Sequence, residues 1–252
     1  ILNPADFTGR NIVVRDSGTG KMLYGKAAYD PWPMASVTKL LSALVLLDAP
    51  INFASTTVAA VDGAPDNDVA IGATYYVKDL WNAGLISSSN RAVLSLADST
   101  GLTREEFVGR MNEKARQLGM TGTKVVEPTG LDARNQSTAA DIAVLLAEAL
   151  RKPEILESVR LTTYNLADVN GRYGKQIKTT DWLLSGAISN FGLELVGGKT
   201  GYIPESGYNF AAETVSSTNH VVVVVLGASS IDARFTEARR AAEWAYQNFT
   251  WK

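Results

Sequence analysis

The sequence predicts an α+β fold: an antiparallel sheet with helices packed on it and an inserted helical lobe. Three observations predict it. Residues 12–16 and 21–24 are short strand-like runs joined by Ser17-Gly18-Thr19-Gly20, which reads as a hairpin. Residues 77–150 carry mostly helical patterning. Residues 208–215 and 220–226 form a second hairpin, followed by an amphipathic helix over 235–249. The order strand, helix, helical insertion, strands, helix fits a single domain with layers of sheet and helix. We divide it into a sheet subdomain, about 1–76 and 151–252, and a helical lobe, about 77–150. A cleft between the two is the natural binding site.

In chain order, the first helix follows the turn-rich approach Asp30-Pro31-Trp32-Pro33 and opens with Ser36-Val37-Thr38-Lys39. Its body is the apolar run Leu40-Leu41-Ser42-Ala43-Leu44-Val45-Leu46-Leu47, bounded by Pro33 and Pro50. Residues 51–76 mix small, β-branched and turn residues and read as short strands and loops, with Asp62-Gly63-Ala64-Pro65-Asp66-Asn67-Asp68 among the loops. A short helix over 78–83, a connection from Gly84 to Asn90 and a helix over 91–99 follow. Thr103-Arg104-Glu105-Glu106 reads as a capping box for a helix that runs to Leu118 and stops at Gly119. Residues 120–135 are a loop. Ser137 or Thr138 caps a further helix to about Leu150, with Pro153 as its stop signal. Tyr173-Gly174-Lys175-Gln176-Ile177-Lys178 reads as a strand edge, and residues 181–189 are ambiguous. Leu195-Val196-Gly197-Gly198-Lys199-Thr200-Gly201 reads as a strand with a Gly-rich end. The unbroken valines at 221–225 indicate a strand covered on both faces.

Composition excludes several chemistries. Hydrophobic residues make up 46% and charged residues 20%, with 24 basic against 26 acidic side chains and a formal net charge of −2. No basic block is present, so nucleic acid is not an expected partner. No apolar run is long enough for a transmembrane helix. Ile1-Leu2-Asn3-Pro4 lacks the basic flank and apolar core of a signal peptide, so a mature or trimmed form is expected. The chain has no cysteine, which removes thiol catalysis and cysteine zinc sites. It has one histidine, which excludes zinc peptidases of the two-histidine kind. That histidine, His220, follows the turn Ser217-Thr218-Asn219 and reads as an exposed hairpin residue. We expect no cofactor and no metal.

A serine enzyme built from this chain therefore takes lysine as its base. Ser36 and Lys39 are three residues apart and share a helical face. A hydroxyl, an amine and free helical N–H groups together supply a nucleophile, a base and an electrostatic assist. Taken alone, Ser36 reads merely as a helix cap. Two more short patterns change the weighing: Ser88-Ser89-Asn90 in the connection entering a lobe helix, and Lys199-Thr200-Gly201 at a strand end.

Ser-x-x-Lys, a Ser-x-Asn triplet and Lys-Thr-Gly together resemble the signature of penicillin-binding proteins and class A β-lactamases. Met111-Asn112-Glu113-Lys114-Ala115-Arg116-Gln117-Leu118-Gly119-Met120, Pro128-Thr129-Gly130-Leu131-Asp132 and Ser137-Thr138-Ala139-Ala140-Asp141 resemble the low-molecular-mass penicillin-binding proteins. These are the D-alanyl-D-alanine carboxypeptidases and endopeptidases of peptidoglycan metabolism. The resemblance extends from about residue 10 to 248, and Ser88-Ser89-Asn90-Arg91-Ala92 is closer to the endopeptidase branch.

The resemblance implies a β-lactamase/transpeptidase-like fold and a single penicillin-binding catalytic domain. It implies that Ser36 is acylated, Lys39 is its general base and Ser88 relays a proton to the leaving amine. Asn90 holds Lys39 or the substrate backbone. Lys199 and Thr200 meet the substrate carboxylate or amide, and Gly201 lets the substrate strand approach. The N–H groups of Ser36 and Tyr202 form the oxyanion hole. The implied partners are peptidoglycan peptides, with β-lactams as covalent inhibitors, and the implied location is the periplasm or the extracytoplasmic cell wall.

Rival readings are a class A β-lactamase and a non-catalytic penicillin-binding sensor. The β-lactamase needs a deacylating glutamate followed four residues on by asparagine; Glu127 is followed by Leu131. Endopeptidase is favoured over carboxypeptidase because the chain ends about fifty residues past Lys199-Thr200-Gly201. Asn209, after Gly207-Tyr208, is more carboxypeptidase-like. Lys178-Thr179-Thr180-Asp181 departs from the family's Asn-Thr-Asn pattern.

Overall fold

The structure is a computed structural model that describes residues 2–61, 66–190 and 192–251. The loop expected over residues 62–65 lies outside the described residues. The N-terminal hairpin forms as the sequence indicates, from β1 (Asn11–Asp16) and β2 (Met22–Lys26). A two-residue strand, β3 (Trp32–Pro33), precedes α1 (Thr38–Leu46), every residue of which is buried. A small ribbon, β4 (Thr56–Val58) and β5 (Thr74–Tyr76), follows.

The lobe helices are α2 (Val77–Ile86), α3 (Asn90–Asp98) and α4 (Arg104–Gln117). α2 is longer than expected. Gly84 is not its stop signal: it lies inside the helix, where an added Cβ would come within 2.9 Å of Val93 Cγ2. The glycine lets α2 and α3 approach each other. The Thr103–Glu106 capping box is present. β6 (Gln136–Ser137) pairs with β3, and Thr138 caps α5 (Ala139–Leu150). Pro153 starts a helix rather than only ending one. It is the first residue of α6 (Pro153–Val159), where a missing N–H costs nothing. β7 (Thr163–Leu166) and β8 (Lys175–Lys178) form a second ribbon.

β9 (Glu194–Ile203), β10 (Gly207–Ser216) and β11 (Asn219–Ala228) complete the main sheet, and α7 (Ile231–Asn248) closes the chain. The sheet order is β2-β1-β11-β10-β9, antiparallel throughout, with β9 at one edge. The valine run is covered on both faces. Val222, Val224 and Leu226 join the core that contains α1 and α5, whereas Val221, Val223 and Val225 pack with Phe235, Ala238 and Ala241 of α7. No helix among the described residues is long and apolar enough to cross a membrane.

Candidate active site

Ser36 sits in a single 3-10 turn, Ala35–Val37, that runs directly into α1. Ala35 has φ 47°, in the left-handed region that ordinary residues avoid at a cost of order 1 kcal/mol. Two glycines press against this turn. A Cβ on Gly130 would lie 1.9 Å from Ala35 O, and one on Gly201 would lie 2.9 Å from Met34 O and 3.1 Å from Ser36 N. Only bare backbone fits at either place, so β9 and the loop at 127–135 clamp the Ser36 turn from two directions. Asn209 adds a third tie, from its Nδ2 to Pro33 O at 2.9 Å.

Lys39 is 1% exposed. Its Nζ lies 2.8 Å from Ser36 Oγ and donates to Asn90 Oδ1 at 2.6 Å and to Thr129 O at 2.7 Å. Two fixed acceptors use two protons. A neutral amine in this position keeps its lone pair for the Ser36 hydroxyl. Burial lowers the Lys39 pKa to about 7, against the opposing pull of Glu127 and Asp66. Lys199 is pushed well below the usual lysine range, first by burial, then by Lys39 and Arg234. Burial is the leading cause of the shift at both lysines.

Ser88 and Asn90 flank the actual helix cap. Ser89 Oγ accepts from Ala92 N at 3.0 Å, which frees its neighbours from capping. Ser88 has φ 65°, and its Oγ accepts from Lys199 Nζ at 2.9 Å. That bond joins the helical part of the chain to β9. Asp66 secures the same segment by accepting from Ser89 Oγ at 2.6 Å and Arg91 N at 3.0 Å. Burial would raise the Asp66 pKa, but these bonds and the N–H groups of Asp68 and Val69 outweigh it and lower the value.

Thr200 is buried, with its hydroxyl 2.6 Å from that of Thr180. Tyr202 is 49% exposed and stacks on Tyr208 at 4.5 Å. Trp32 and Trp81 are packing residues, whose indole N–H groups donate to Ser206 O and Glu154 O. His220 lies outside the site; its Nδ1 is 3.1 Å from Glu213 Oε1, beside a cavity of about 870 Å³ that includes none of the site residues.

Three side chains around the site make contacts that the sequence reading did not assign. Glu127 is a loop hub: its carboxylate accepts from Thr129 N at 2.7 Å, Thr129 Oγ1 at 2.6 Å, Asn135 Nδ2 at 2.9 Å and Gly130 N. It thereby holds the carbonyl that Lys39 donates to. Arg234, buried at the start of α7, points Nη1 at Gly201 O at 3.4 Å and lies over the Phe235 ring at 4.6 Å. A cation in the first turn of a helix opposes the macrodipole, and that was the available signal. Asp181 is buried beside the same strand; its Oδ1 accepts from Leu183 N at 2.9 Å and Leu184 N at 3.1 Å.

The sequence profile for D-alanyl-D-alanine carboxypeptidases matches residues 2–230. The chain belongs to this D-alanyl-D-alanine carboxypeptidase family. Within and around that family, it is 32% identical over 237 residues to a D-alanyl-D-alanine endopeptidase of Pseudomonas aeruginosa, covering 92% of this chain and 75% of the relative. It is 30% identical to the Escherichia coli D-alanyl-D-alanine endopeptidase, covering 96% and 78%. A Bacillus subtilis D-alanyl-D-alanine carboxypeptidase, DacF, is 28% identical, and the matched region spans 62% of its length. Among solved structures, a Streptomyces DD-transpeptidase superposes with a TM-score of 0.88 at 25% identity, covering 98% of this chain and 100% of that one. A Listeria monocytogenes penicillin-binding protein in its cefotaxime-bound form gives 0.83 at 27% identity, covering 98% and 99%. The family assignment agrees with the motif reading, and the α+β fold expected from sequence is the fold found.

Proposed function

We propose that this chain is a serine D,D-peptidase that cleaves D-alanyl peptide bonds of peptidoglycan through an acyl-enzyme on Ser36, acting chiefly on cross-links. The observation that carries the chemistry is the buried Lys39 amine 2.8 Å from Ser36 Oγ, with a pKa of about 7. A serine hydroxyl becomes a competent nucleophile when a neighbouring base takes its proton. Oγ attacks the D-alanyl carbonyl carbon while its proton passes to Nζ. The C–N bond then breaks, and Ser88 relays the proton to the departing amine. Water hydrolyses the ester by the reverse path.

The remaining roles are those the family resemblance implies. Asn90 orients Lys39 and faces the substrate backbone. β9 is an edge strand, which suits pairing with an extended peptide, and Gly201 lets that strand lie directly against the Ser36 turn. The N–H groups of Ser36 and Tyr202 form the oxyanion hole, where one donor is typically worth about 3 kcal/mol. Lys199 and Thr200 receive the substrate carboxylate or amide, backed by Arg234.

β-Lactams acylate the same serine in this reading, and the cefotaxime-bound relative supports it. The Glu127 carboxylate is occupied by its own loop, so it does not stand ready to activate a deacylating water. A long-lived adduct follows, rather than β-lactamase turnover. The endopeptidase preference draws on three relatives of that name at 30% identity or above. Carboxypeptidase activity is the second reading, favoured by Asn209 and by the relatives of that name. We place the protein outside the cytoplasmic membrane, in the periplasm or the cell wall. Mass spectrometry of products from purified cross-linked dimers and from pentapeptide monomers decides the preference. Monomers released from dimers establish the endopeptidase, and free D-alanine from pentapeptides establishes the carboxypeptidase.

A further inference from the structure

The substrate side of β9 carries three charged groups within one buried cluster. Lys199 lies on the strand and is 2% exposed. Arg234, on α7, is 6% exposed and reaches Gly201 O. Asp181, in the segment before β9, is 4% exposed and sits next to Thr180, whose hydroxyl is 2.6 Å from that of Thr200. One oxygen of Asp181 is committed to the N–H groups of Leu183 and Leu184. The other, Oδ2, is buried without a hydrogen-bond partner among the described residues. Its charge therefore acts through space, and the cations it acts on are Arg234 and Lys199.

A D-alanyl bond releases an amine, and the carbon next to that amine carries either a free carboxylate or its amide. Lys199 and Arg234 together attract a carboxylate. A third charge of opposite sign in the same low-dielectric cluster offsets that attraction.

We propose that Asp181 is a specificity-determining residue: by reducing the positive charge around Thr200 and Gly201, it shifts the enzyme toward leaving groups whose carboxylate is masked as an amide. This inference rests on the D,D-peptidase reading above. It also sets a pH response. Burial raises the Asp181 pKa to about 6, opposed by the Leu184 and Leu183 N–H groups, Arg234 and Lys199. Below that value the carboxyl is neutral and the cluster favours a carboxylate. Above it, the preference moves to the amide. The other titratable groups that bear on the cluster are Lys39, through Lys199, and Tyr208, whose ring lies 5.6 Å from Arg234.

The test compares wild type with Asp181→Asn, which keeps an acceptor for Leu183 and Leu184. Two peptides are used, identical except for a terminal D-alanine or D-alaninamide, together with benzylpenicillin and its methyl ester for acylation of Ser36. The expected result is a carboxylate-to-amide ratio of kcat/KM about tenfold higher in the variant. The wild-type ratio falls as pH rises through about 6, while the variant's stays flat. Equal loss on both substrates with an unchanged ratio, or a wild-type ratio that ignores pH, overturns the role of Asp181. If the wild type cleaves neither peptide, the peptidase reading fails, and the penicillin pair still decides the role of Asp181 by the same ratio. The wild-type pH profile decides it even if the variant does not fold.

Discussion

The Lys39 amine reaches Asn90 Oδ1 at 2.6 Å, while Ser36 Oγ lies at 2.8 Å. Asn90 is thus a fixed neutral acceptor that orients the base without supplying charge. Replacing it with Asp places an anion against Lys39 and favours the ammonium form. Asn90→Asp should move the acylation pH profile to higher pH and slow acylation at pH 7 by tenfold or more. Asn90→Ala should slow acylation with little displacement of the profile. Stopped-flow acylation by a fluorescent penicillin separates the two.

Acylation by the wild type should itself depend on pH. Lys39 works as a base only when neutral, and its pKa is about 7. The acylation rate should rise as pH increases through about 7 and level off above 8. An ordinary lysine would still be protonated at pH 8, with the rise near 10. A rate that is flat from pH 5 to 9 would remove Lys39 from this role.

Glu127 opposes the lowering of the Lys39 pKa and also holds the loop whose carbonyl Lys39 uses. Glu127→Gln should shift the acylation profile toward lower pH. The amide cannot replace all four acceptor contacts, so stability should fall by about 1–3 kcal/mol. Urea unfolding alongside the pH profile reads both effects.

The Ser36 and Lys39 pair, the Ser88–Asn90 connection and the β9 end were legible because each is a short local pattern on a recognisable element. The hairpins and the two-sided valine strand were legible for the same reason. Gly84 misled because glycine marks a helix end by default, and its packing against Val93 depends on a partner helix. Arg234 was hidden because its contact is distant in sequence, whereas Glu127 and Asp181 were hidden because the loops that bend back on their carboxylates carry no periodic pattern. Arg234 meets Gly201 only after α7 folds back on the sheet. The Glu127 hub needs Asn135 to return across the loop.

Asp181 costs the fold stability at neutral pH. Its pKa is raised from 3.8 to about 6, so the folded chain holds the proton more tightly than the unfolded one. Its contribution is fully present below about pH 4 and is lost as pH rises through 6. Asp181→Asn should therefore gain up to about 3 kcal/mol over wild type above pH 6, and nothing below pH 4. Thermal unfolding at pH 4 and pH 8 checks the sign.

Gly201→Ala should keep the fold while displacing β9 from the nucleophile turn, since the new Cβ would lie 2.9 Å from Met34 O. Acylation should fall at least a hundredfold. Gly130→Ala meets Ala35 O at 1.9 Å from a residue with φ +90°, so it should destabilise the fold itself. Circular dichroism distinguishes the two outcomes.

The central claim is that Ser36 is the acylated nucleophile. Intact-protein and peptide mass spectrometry after incubation with benzylpenicillin tests it most directly. The account predicts one adduct on the peptide that contains Ser36 in the wild type, and none in Ser36→Ala. An undiminished adduct in Ser36→Ala, or one mapped to another residue, would contradict it.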